Sequence, residues 1–129
     1  TSDIRVLQER ADLDRLGYNV LHRLVESGTI EETLETPAGP KWMGAGPILK
    51  TFIQNSLPST TYFNLTIFNC TDKGSWVELK PLKLEPPVNN ASPEAFANSL
   101  EVSSTNMMYT SKKGNIYHLV LVLARAGGG

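Results

Sequence analysis

A single cysteine, Cys70, stands in 129 residues, so no disulfide can form within the chain and the small stapled folds of secreted proteins are excluded. That count permits a reducing compartment. Histidine is nearly as scarce: His22 and His118 are the only two, far apart in the chain. With no second cysteine, the usual ligand sets of a zinc site cannot be assembled, and neither a metal nor a cofactor is expected. Long apolar runs are missing as well. The longest, IYHLVLVLA from Ile116 to Ala124, falls far short of the roughly 20 residues a helix needs to span a bilayer. It reads instead as a buried central strand. Finally there is no basic excess: net charge is -1, whereas a nucleic-acid-binding domain is usually basic, so nucleic acid is not the expected partner. No leader pattern opens the chain, and Thr1 in place of methionine is what a trimmed or processed product would show.

What the chain does contain is the pattern of one α+β domain. A chain of this size buries about two thirds of its unfolded surface, enough for one core without staples. Residues 1–126 read as that domain, and Gly127 to Gly129 as a tail or linker. DIRVLQE from Asp3 to Glu9 alternates Ile4, Val6 and Gln8, which predicts a short strand, with a fully helical start as the rival. Asp12 is placed as the N-cap of a helix whose apolar positions Leu13, Leu16, Gly17, Val20, Leu21, Leu24 and Val25 recur at helical spacing until Ser27-Gly28. Thr29 to Glu32 has capping-box spacing and predicts a further helical turn.

Pro47 then suits a first helical position, with Ile48, Leu49, Phe52, Ile53 and Leu57 as one stripe. TYFNLTIFNC from Thr61 to Cys70 predicts a strand with Phe63, Leu65 and Ile67 on one face. A turn at Asp72-Lys73-Gly74 joins it to a strand from Trp76 that either ends at Pro81 or lies at a sheet edge. Pro93, Phe96 and Leu100 mark a short helix, and a final hairpin joins about Thr105 to Thr110 with Ile116 to Arg125. The sum is an antiparallel sheet of four to five strands, in two hairpins, packed against two or three helices. An echo between halves points the same way: Asn55-Ser56-Leu57, Tyr62 and Lys73-Gly74 recur as Asn98-Ser99-Leu100, Tyr109 and Lys113-Gly114. The order strand, helix, loop, helix, hairpin, helix, hairpin resembles that of virus matrix domains in arrangement alone, with no residue motif shared. That resemblance implies a structural, self-assembling component.

Motif chemistry mostly fails on inspection. The spacing Gly39 to Gly44 is that of a phosphate loop, but Ala45 and Gly46 stand where lysine and a hydroxyl are required. Gly44-Ala45-Gly46 opens like a dinucleotide fingerprint, yet Leu49 holds the third glycine position. His22 and Glu26 at i and i+4 predict an exposed ion pair in place of metal ligands. Three sequons occur, at Asn64, Asn69 and Asn90; the third is followed by Pro93, and strand alternation sends Asn64 and Asn69 to opposite faces. No catalytic residue is assigned. The alternative is a small hydrolase-like enzyme that uses Cys70, or a serine, with His118 as its base.

The remaining lead is PAGPKWMGAGP, positions 37–47, where three prolines stiffen a segment that carries Trp42 and Met43. Such a tip can anchor to its own core, or present an aromatic and a thioether to another molecule with little ordering cost. Charge is also segregated. Positions 1–36 carry eight acids against four arginines, and the remainder carries seven lysines and Arg125 against five acids. An acidic layer on one copy could therefore meet lysines on another, with Trp42 and Met43 as an apolar plug. The expected function is non-enzymatic protein–protein interaction or self-assembly, and the expected contact residues are Lys41, Trp42, Met43, Lys50, Lys112 and Lys113. A membrane-surface contact through Trp42 beside Lys41 would bury too little for attachment alone.

Overall fold

The structure, a computed structural model, describes residues 2–34, 46–58, 61–79, 83–84 and 102–125. Lys41, Trp42 and Met43, Pro81, the sequon at Asn90 and the expected helix after Pro93 lie outside the described residues. Within them the chain forms α1 (Ser2–Glu26), α2 (Thr29–Leu34), α3 (Gly46–Asn55), β1 (Thr61–Cys70), β2 (Trp76–Glu78), β3 (Val102–Thr110) and β4 (Ile116–Arg125). This is the expected α+β arrangement of helices and two antiparallel hairpins, with four strands among the described residues.

The strand expected at Asp3 to Glu9 is helix, the first turns of α1. Three alternating positions are a weak signal. No glycine or proline separates them from the helix formers Leu7, Gln8, Glu9, Arg10 and Ala11, so a helix nucleated further on extends backwards at little cost. Asp12 is consequently interior to α1 and not its cap; its carboxylate lies 3.7 Å from Arg15, an exposed pair of little energetic weight. The opening strand of the matrix-like order disappears with this correction.

α1 ends as the sequence requires. Gly28 adopts φ 79°, a left-handed conformation that stops the helix without the steric penalty a side chain would meet. The start of α2 differs from the expected capping box. Thr29 is already helical, its hydroxyl meets Ser27 Oγ at 2.7 Å, and Ser27 Oγ accepts the Thr29 amide at 3.3 Å. In α3, Leu49 and Ile53 are fully buried and Phe52 is partly so, but Ile48 is 64% exposed. It sits one residue, about 100° of helix rotation, off the stripe that faces inward.

The sheet order is β2-β1-β4-β3, and every neighbouring pair is antiparallel. β4 is thus internal, which accounts for its apolar residues on both faces. In register, Phe63, Leu123 and Ser103 form one row, Leu65, Leu121 and Thr105 the next, and Ile67, Leu119 and Met107 a third. These rows face the helices and, with Leu13, Val20, Leu21, Leu24, Ile30, Leu49 and Ile53, make one core. Burying a leucine or isoleucine completely contributes about 1.5–3 kcal/mol, so this layer carries most of the stability.

Three contacts hold β3 under the helices. Gly17 of α1 lies so close that a Cβ built there would sit 2.5 Å from Thr105 Oγ1. Ser103 Oγ donates to the Asp14 carboxylate. Glu31 of α2 accepts the Tyr109 hydroxyl with one oxygen and the Lys112 amide, at 2.9 Å, with the other.

The two hairpin turns are copies of each other. Thr71 N donates to Ser75 O at 2.7 Å and Ser111 N to Asn115 O at 2.8 Å; Gly74 N and Gly114 N each donate to the first residue's carbonyl at 2.9 Å. The fifth amide returns to the first residue's hydroxyl at 3.1 Å in both. Gly74 and Gly114 hold φ 81° and 90°. The sequence echo at Lys73-Gly74 and Lys113-Gly114 therefore corresponds to one repeated five-residue turn.

Candidate functional site

The sheet face turned away from the helices carries the even-numbered residues of β1, β3 and β4. Register places Tyr62 opposite Ala124, Asn64 opposite Val122, Thr66 opposite Val120 and Phe68 opposite His118, with Met108 on the far side of His118. Strand alternation dictates this segregation once the other face is committed to the core. Both turns lie at one end of the sheet, because β1 and β4 are antiparallel neighbours.

An apolar cluster gathers at that end. His118 is its centre: its ring centroid is 6.1 Å from Phe68 and 5.8 Å from Trp76, the indole edge-on at 63°. Trp76 is paired with Cys70 on β2, so its ring leans across β1 to reach the histidine. His118 Nε2 is 3.0 Å from Asn106 Oδ1 on β3, which fixes the imidazole plane. Trp76 is 45% exposed, Met108 56% and Ile116 40%. Large apolar side chains exposed together, in place of singly, mark contact surfaces. The turns rim the cluster with Lys73, Lys112 and Lys113, all exposed.

Of the residues singled out in the sequence, the structure brings Cys70 and His118 to this same face. Their polar atoms point elsewhere: Cys70 Sγ lies 3.7 Å from the Thr71 carbonyl, and His118 Nε2 meets Asn106. Lys112 and Lys113 stand in the β3–β4 turn beside the cluster, whereas Lys50 is half-buried on α3 in the helical layer. His22 and Glu26 form the expected exposed pair, 3.8 Å apart. Among the described residues no three His, Cys, Asp or Glu side chains converge as metal ligands would. Two of the amino-terminal acids, Asp14 and Glu31, are engaged with the chain's own β3 and the turn after it. The sequon residues Asn64 and Asn69 do occupy opposite faces; Thr66 Oγ1 donates to Asn64 Oδ1 at 3.0 Å, and Asn69 Oδ1 is buried without a hydrogen bond among the described residues.

Phe68, Trp76, Met108, Asn106 and Ile116 were not foreseen as a group. The signal that could have found them is the second apolar row of β4, His118, Val120 and Val122, which implied an outward face needing neighbours. Comparison with known proteins yields no match: no family model, curated protein or solved structure is significantly similar to the chain.

Proposed function

We propose that this chain is a non-enzymatic self-assembly domain, a protein whose partner is a second copy of itself, with the turn end of the open sheet face as a contact surface. The observation that carries this reading is the cluster in which exposed Trp76, Met108 and Ile116 surround half-buried Phe68 and His118 on a regular sheet, rimmed by lysines. Interfaces have this anatomy, an aromatic and methionine-bearing core within a polar rim. A sheet platform also holds its side chains in fixed rotamers, so little ordering entropy is lost on contact. The proline- and glycine-rich segment with Lys41, Trp42 and Met43 is a second contact element in this proposal, alongside Lys50, Lys112 and Lys113.

Light scattering against concentration and salt tests it. The expected mass rises with concentration and falls after Trp76→Ala, while circular dichroism and thermal stability stay close to those of the parent. Trp76 is nearly half exposed, so its removal from the isolated fold costs about 1 kcal/mol or less. A mass equal to one chain at every concentration and salt strength rejects self-assembly.

A further inference from the structure

The two edges of the sheet are built differently. At the β2 edge the strand is three residues long. Leu79 N still donates to Ile67 O at 2.8 Å, and the next described pairing is the Leu65–Leu84 bridge, three residues later than an unbroken register would place it. Lys80, Pro81 and Lys83 fall in that interval. Short length, interruption, proline and lysine are the devices by which proteins keep an edge from recruiting another strand.

The β3 edge has none of them. VSSTNMMYT is nine residues long, pairs with β4 throughout, and contains no charged residue and no proline. No described strand lies beyond it. Nor is it a frayed end. Asp14 holds Ser103, Gly17 packs against Thr105 and Glu31 holds Tyr109, so α1 and α2 fix this edge from beneath. A rigid, extended, uncharged edge is a template for another strand.

Building on the self-assembly reading, we propose that β3 pairs with β3 of a second copy, antiparallel about a two-fold axis, to join two sheets into one of eight strands. Three features select a second copy as the occupant. An isologous strand pair sets a surface against itself, and an uncharged strand does so without like-charge repulsion. A register centred on Asn106 sets Ser104 against the partner's Met108, which keeps the open faces on one side. The two clusters of Trp76, Phe68, His118 and Met108 then lie on one continuous surface. Pairing over nine residues forms about ten backbone hydrogen bonds, since the five outward-facing residues Val102, Ser104, Asn106, Met108 and Thr110 of each strand take part in two apiece.

Amide hydrogen exchange on the full chain, followed by NMR at low and high concentration, tests the pairing. In the single chain, alternate β3 amides face outward and exchange fast; in the assembled state all of Ser103 to Met108 should be protected. Asn106→Lys places two ammonium groups against each other on the axis and should weaken dimerisation about tenfold or more, and the fold is checked by its unchanged β4 amides. Assembly in which alternate β3 amides still exchange fast overturns the edge pairing and leaves self-assembly through the open face standing. Assembly of Asn106→Lys as tight as the parent's overturns it equally. A chain that never assembles overturns both readings.

Discussion

Replacing Gly17 with alanine sets two opposed effects against each other on one atom. In a free helix the change stabilises, by about 0.5–1 kcal/mol, because glycine loses more backbone entropy on folding than alanine. Here the new methyl would sit 2.5 Å from Thr105 Oγ1, 3.3 Å from Thr105 Cβ and 3.5 Å from Leu123 Cδ1. Thr105 is β-branched and sits on a paired strand, so its hydroxyl cannot simply swing aside. Either α1 lifts from β3 or the strand shifts, and overpacking of this kind costs about 1–3 kcal/mol. The net expectation is a loss of about 1–2 kcal/mol. Urea titration should show a lower midpoint at unchanged slope. Thr105→Ala removes the nearest atom, so the double variant Gly17→Ala/Thr105→Ala should be more stable than the sum of the two single changes implies. A Gly17→Ala protein equal to or more stable than the parent would refute the close approach of α1 to β3.

Glu31→Ala leaves the Tyr109 hydroxyl and the Lys112 amide without their shared acceptor and should lower unfolding stability by about 1–3 kcal/mol; if Tyr109→Phe then adds its full single-variant loss, measured in the same urea titration, the coupling is absent and the assignment fails. Gly74→Ala and Gly114→Ala should each cost about 1 kcal/mol, since both glycines hold positive φ and nothing lies within 4 Å of the added methyl. Thermal unfolding of the pair should give similar losses, and a large inequality would mean that the two turns are not energetic equivalents.

Much of the fold was legible along the chain because its signals are local. Leu13 to Val25 repeats at helical spacing, Phe63, Leu65 and Ile67 alternate, and Gly28, Gly74 and Gly114 mark the conformations that only glycine adopts freely. The Asp3 to Glu9 strand was misread for the same reason: a three-position alternation says little, and the helix that absorbed it is stabilised by residues further on. The candidate site was hardly legible. Cys70 and His118 were noticed as a nucleophile and base, and Lys112 and Lys113 as contact lysines, while Trp76, Phe68, Met108 and Asn106 passed as ordinary strand residues.

Periodicity, turn chemistry and the placement of glycine and proline thus determined by themselves the helices over residues 13–25 and 49–53 and the two hairpins, because those preferences act over a few residues. Tertiary structure alone decided that β4 lies between β1 and β3, and that α1 and α2 clamp β3 through Asp14, Gly17 and Glu31. It also decided that Trp76 and Phe68 meet His118 across three strands. Those pairings join residues tens of positions apart, and their register is selected by burial of the whole apolar face at once, a quantity that no local stretch of sequence carries.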